Sequence, residues 1–141
     1  MSNIDPAFLS GSLALGDLTL SHVRLQNDAR WPWRILIPQR AGATELEDLS
    51  RADRNLLMDE TVRAGEAVRA MGRALGFEVE KLNAGALGNI TRQLHIHVVG
   101  RRTGDGAWPG PVWGVGLATP LSPGQIDLAT TAVRHHLDFR A

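Results

Sequence analysis

An α+β domain with an antiparallel sheet is the fold class that this sequence predicts, and three observations carry it. Short apolar runs with strand character lie on both sides of one long amphipathic stretch, instead of alternating regularly with helices. That stretch, opening at Ser50 and closing at Gly76, carries a single helical stripe. The 141 residues, 43% of them hydrophobic, fill one core and leave little for a second, so 1–141 reads as one domain.

The elements follow in chain order. Leu18 to Gln26 is the first predicted strand, with Leu18, Leu20, Val23 and Leu25 apolar and a change of phase near Ser21. Asn27-Asp28-Ala29-Arg30 reads as a turn, because Asn and Asp side chains satisfy nearby backbone groups. Arg34-Ile35-Leu36-Ile37, closed by Pro38, suits a strand buried on both faces, and a hairpin joins the two runs. Ser50 can cap the free amides of the long helix, and Asp53 complements its dipole. Leu57, Thr61, Ala64, Val68, Met71 and Leu75 recur at spacings of four and three, and Gly76 supplies a left-handed cap. A helix of about 25 residues is long enough to cross a whole sheet. Two further extended runs are predicted at Val79 to Leu87 and Thr91 to Arg101. The Gly-, Pro- and Trp-rich stretch 103–121 cannot be regular structure. Ser122-Pro123 opens a short C-terminal helix over 122–141, with Ile126, Ala129, Val133 and Leu137 as its stripe.

Composition excludes several function classes. Fifteen basic and fifteen acidic residues cancel, so the footprint of a duplex nucleic-acid binder is missing. With no cysteine there is no disulfide, thiol catalysis or thiolate metal site. The first residues show neither a signal peptide nor a membrane span, and a cytoplasmic protein is expected.

The chemistry concentrates in Gln93-Leu94-His95-Ile96-His97. Alternate side chains of a strand share a face, so Gln93, His95 and His97 are expected to project together while Leu94, Ile96 and Val98 enter the core. Same-face neighbours stand roughly 6.5–7 Å apart, a spacing that can surround one phosphate. An imidazole titrating near neutrality can act as nucleophile or proton donor. From spacing alone three readings stay open: a phosphate site, a metal site, or the plain polar face of a strand. A metal would need a third ligand. His135 and His136 are available for that, although their place near a helix C-terminus also fits a dipole-compensating surface role. Of the four tryptophans, Trp108 has two readings, stacking on a base or contacting a second copy, and Trp31 reads as packing. Arg101-Arg102 reads as a solvated pair at a strand end.

The run from Asn83 through Gly85, Gly88-Asn89 and Gln93-Leu94-His95-Ile96-His97-Val98-Val99 to Arg101 resembles the signature of the histidine-triad family. That signature is an Asn-x-Gly run, a Gly-Gln pair, then three histidines alternating with apolar residues. The resemblance implies a nucleotide phosphohydrolase or nucleotidyl transferase of α+β fold, commonly a homodimer, with no metal or cofactor. His95 takes the place of the nucleophilic middle histidine, and His97 that of the third, which contacts the phosphate. Asn89 stands at the Gln of Gly-Gln and Asn83 at a phosphate-holding Asn, while Asn27 or Asp28 matches the acid that touches ribose. Ala107-Trp108-Pro109-Gly110 is similar to the Trp-Pro tail of the Hint branch, which reaches a partner's active site. Two departures stand out: Gln93 replaces the first histidine, as in a bacterial subgroup of the superfamily, and the spacing from Asn83 is one residue short. The implied ligand is a nucleotide or nucleotide-like molecule, whether dinucleotide polyphosphate, phosphoramidate or adenylate. The alternatives are a non-catalytic nucleotide-binding module with a degenerate triad and, from another class, a metal-dependent sheet protein.

Overall fold

The computed structural model describes residues 3–134. A short helix α1 (Ala7–Gly11) leads into strands β1 (Ser12–Asp17), β2 (Ser21–Gln26) and β3 (Trp33–Pro38). A 3-10 turn at Leu46–Asp48 precedes the long helix α2 (Arg51–Leu75), then come β4 (Lys81–Gly85), β5 (Ile96–Arg101) and α3 (Pro123–Arg134). All pairings in the five-stranded sheet are antiparallel, in the order β1-β2-β3-β5-β4, giving the α+β class that the sequence predicts.

Local signals explain α2 from end to end. The Ser50 hydroxyl accepts from the Asp53 amide at 3.1 Å, and Gly76 ends the helix at φ 76°, where a side chain would be strained. Its stripe, Leu57, Ala64 and Val68, packs on Val23, Leu36, Ile96 and Val98 of the sheet. The opposite sheet face buries Trp33, Ile35, Ile37 and Val99 beneath Phe8, Trp31 and Val112. Strand β3 is therefore buried on both faces. Helix α3 opens as expected, with the Gln125 amide donating to the Ser122 hydroxyl, and its Ala129 joins Leu25 and Met71. Beneath it the fully buried Arg34 donates to the Ala129 carbonyl at 3.2 Å and to Met71 Sδ, and desolvation pulls its pKa down to about 9.

The structure differs from the sequence reading in four places. Residues 12–17 form a strand of their own, while Leu18 and Leu20 sit buried in the hairpin after it. A register shift between Ala14 and Gly16 breaks the alternation that would have marked this strand. Helix α1 is too short to leave a periodic signal. The later strands are shorter than expected: β4 covers 81–85, and β5 begins at Ile96 because Gly88, at φ 70°, turns the chain away from the sheet before it. Arg101, read as solvated, is 1% exposed, and its guanidinium donates to both oxygens of the buried Asp105 carboxylate. His135, His136 and Leu137 lie outside the described residues.

Candidate active site

Cross-strand register decides which side chains meet. His97 pairs with Ile35 of β3 and Gly85 of β4, and Ile35 pairs in turn with Arg24 of β2. Directly opposite residues share a face, so this row crosses the sheet on the side away from α2. Trp33, opposite Val99, is a diagonal neighbour of His97 on the same face. Leu94, Ile96 and Val98 enter the core beneath α2, as the alternation requires.

His95 and His97 lie with ring centroids 4.8 Å apart and an interplanar angle of 77°. His95, 6% exposed, places Nδ1 2.7 Å from the Gln93 carbonyl. A carbonyl only accepts, so Nδ1 carries the hydrogen and Nε2 of the neutral ring keeps a free lone pair. His97 has the reverse arrangement: Trp33 Nε1 donates to its Nδ1 at 2.9 Å. Burial, with the neighbouring His95, pulls the His97 pKa down to about 3. Around the pair stand three aromatic edges: Phe8 at 4.8 Å from His95, and Trp33 and Trp113 at 5.6 and 5.5 Å from His97.

The two imidazoles line a cavity of about 400 Å³, together with Ser12, Gln26, Asn89, Thr91 and Trp113. Among the described residues no Asp, Glu, Lys or Arg lines it. Such a space can take a nucleotide-sized ligand.

The other residues singled out by sequence are distributed differently. Asn89 lies in the cavity wall with the histidines. Gln93 does not share their face: it precedes β5, and its amide clasps the N-terminal segment, Oε1 accepting from the Asp5 amide at 2.7 Å and Nε2 donating to the Asn3 carbonyl at 2.9 Å. Asn83 accepts from Arg101 Nη1 at 2.8 Å, and Asn27 from the Leu121 amide at 2.9 Å. Asp28, 1% exposed, is held by the Arg30 guanidinium and backbone amide. Trp108 is 39% exposed, lies 5.7 Å from the Arg101 guanidinium, and is not part of the cavity wall. Its place there is taken by Trp113. Phe8 carried no sequence signal as a site residue, and for Trp33 and Trp113 the sequence did not separate base stacking from packing, since only the register and the return of 103–121 across the sheet bring them to the imidazoles. Among the described residues no three His, Asp or Glu side chains come together as a metal site.

An antiparallel α+β domain with paired imidazoles at the start of an interior strand, facing an aromatic-walled cavity, is the class that fold and site define. The chain belongs to the histidine triad (HIT) family, whose HIT domain matches residues 10–104. It is similar in structure to a histidine triad (HIT) protein from Sinorhizobium meliloti 1021, at 41% identity over 96% of this chain and 97% of that one, with a TM-score of 0.88. A histidine triad protein from Bradyrhizobium japonicum is 35% identical over 97% and 98% of the two chains, with a TM-score of 0.90. One from Marinobacter aquaeolei VT8 is 32% identical over 97% and 96%, with a TM-score of 0.85. No curated protein matches the chain. No helix among the described residues is long and apolar enough to cross a membrane.

Proposed function

We propose that the chain is a nucleotide phosphohydrolase or nucleotidyl transferase in which His95 Nε2 attacks an α-phosphorus. The observation that carries this reading is the 2.7 Å contact between His95 Nδ1 and the Gln93 carbonyl, which leaves Nε2 as a lone-pair nitrogen in the cavity. Attack forms a P–Nε2 bond and breaks the bond from phosphorus to the leaving group, which keeps the electron pair. Water, or an acceptor in a transfer, then attacks phosphorus, and the electron pair returns to Nε2. The His97 Nε2–H and the Asn89 amide steady the phosphoryl oxygens. Phe8 and Trp113 give the cavity an aromatic surface for a base.

Gln93, Asn83, Asn27 and Asp28 act indirectly, by tying down the segments that form the walls. The Gln at position 93 fits the subgroup reading, since its amide has a partner that needs no proton exchange. A homodimer is part of the same reading. Its seat is the edge strand β4 beside the exposed Met58 and Val62 of α2, because Trp113 faces its own chain's histidines.

One observation favours a binding-only module instead: the clasped Gln93 brings no titratable group to the first triad position. A rapid-quench reaction with an adenylate ester separates the two. Nucleotide attached to His95, and absent from His95→Ala, supports catalysis; tight adenosine monophosphate binding with no covalent species supports the module.

A further inference from the structure

Among the described residues the cavity wall holds two imidazoles, and each has one ring nitrogen committed. The indole Nε1 of Trp33 has a hydrogen to give and no lone pair to offer, so His97 Nδ1 must accept. The neutral ring therefore carries its hydrogen on Nε2. Charging His97 would put a second hydrogen on Nδ1, facing the indole N–H, and would leave a buried donor without an acceptor.

Among the described residues none places a compensating charge on His97. Trp33 and Ile35 face His97 from β3, His95 from its own strand, and Trp113 from the 103–121 segment. Among the described residues no carboxylate hydrogen-bonds either imidazole. Arg24, in the same row of the sheet, is engaged by Ser12 and by His22, which in turn meets Asp17. Glu45 and Glu47 border a separate small cavity that His95 also touches, without bonding to its ring. Gln93 has no titratable group, and its amide is held by Asn3 and Asp5.

We propose that Trp33 is a positioning residue that fixes His97 as a neutral Nε2–H donor, and that the site in consequence cleaves nucleotidyl bonds to oxygens that depart as stable anions, of the phosphate or carboxylate kind. This rests on His95 being the nucleophile. As the P–Nε2 bond forms, the P–O electron pair passes to the leaving oxygen, which needs a hydrogen bond and no proton. Water then opens the P–N bond, and its proton goes to solvent. An amine must take up a proton as its bond to phosphorus breaks, and among the described residues lining the cavity none is placed as a charged acid to supply one. Of the ligands that the sequence left open, adenylates and polyphosphates fit this site, and phosphoramidates do not.

Two measurements on the full chain test this. The first needs no substrate: nitrogen-15 NMR of histidine-labelled protein is expected to show His97 in the Nε2–H form and uncharged down to about pH 5, a unit or more below an ordinary histidine. An Nδ1–H form, or titration near pH 6.5, overturns the proposal, and this arm stands even if Trp33→Phe fails to fold. The second compares 4-nitrophenyl and phenyl esters of adenosine monophosphate, whose leaving groups differ by roughly three pKa units. Without a general acid, kcat/KM is expected to fall about a hundredfold or more from the first ester to the second. In Trp33→Phe the ratio is expected to shrink about tenfold, and the acidic limb of the pH profile to move towards neutrality. Equal rates on both esters, with nucleotide still trapped on His95, sink this inference alone. No turnover and no trapped nucleotide sink the nucleophile reading with it.

Discussion

Replacing Asp105 by Asn is expected to lower the stability of the fold by about 3–5 kcal/mol, the usual loss when one partner of a buried ion pair is removed. The carboxylate is fully buried and accepts five hydrogen bonds: two from Arg101 at 2.7 and 3.1 Å, and one each from the amides of Arg102, Ala107 and Trp108. Asn keeps the shape but has one acceptor oxygen, and its NH₂ would meet donors. Arg101, 1% exposed, would keep Asn83 Oδ1 and lose its anion. For a chain of this length the loss corresponds to roughly 10–15 °C in Tm. Circular dichroism melts at pH 7 provide the assay, and a second series at acid pH checks the cause. Although desolvation opposes it, the bonds from Arg101 and the three amides hold the Asp105 carboxyl well below the usual carboxylate range. A group with a depressed folded pKa contributes above its unfolded value, about 4, and loses that contribution as pH falls further. The gap between wild type and variant must therefore narrow below pH 4. A loss under about 1 kcal/mol at pH 7, or a gap that widens in acid, refutes the reasoning.

Three further outcomes are expected. His95→Ala abolishes turnover of adenylate esters while adenosine monophosphate affinity stays within about tenfold, because a nucleophile acts mainly in the transition state; calorimetric titration beside a rate assay checks both. Gln93→Leu speeds amide exchange at Asp5 by about fivefold, as the hydrogen bond from the Asp5 amide to the Gln93 side chain, about 1 kcal/mol, is lost, while Gln93→His changes kcat by no more than about a hundredfold, since this side chain makes no bond to the substrate. Val62→Glu, which puts a charge on the exposed α2 face beside β4, converts a dimer into monomers in light scattering; an unchanged mass refutes that seat for the interface.

What the sequence revealed is local, and what it hid is long-range. Ser50 and Gly76 bound α2 because capping depends on side chains within one turn of the helix end. His95 and His97 were legible because period-two alternation survives any register. Gln93 misled for the same reason: alternation was extended three residues beyond the strand, while the amide's true partners lie some 90 positions away. Arg101 looked solvated beside Arg102 because nothing short of the folded loop shows that Asp105 and Asn83 converge on it. Trp33 and Trp113 were indistinguishable from core tryptophans, and only the pairing of β3 with β5 makes one of them a partner of His97.

The clasp between Gln93 and the first residues has a consequence for when the site comes into being. Phe8, which borders His95, arrives at its place through bonds spanning 88 and 90 positions, and Trp113 comes from still later in the chain. Closing loops of that length is slow, because the entropy of closure is lost before the contacts that reward it form. On a ribosome the histidines emerge before the last wall of their cavity, so an incomplete chain holds both imidazoles without an enclosed place for a ligand. Ligand capture thus reports on completion of the fold, and a nucleotide added to refolding chains should bind in the final kinetic phase, together with the quenching of Trp113.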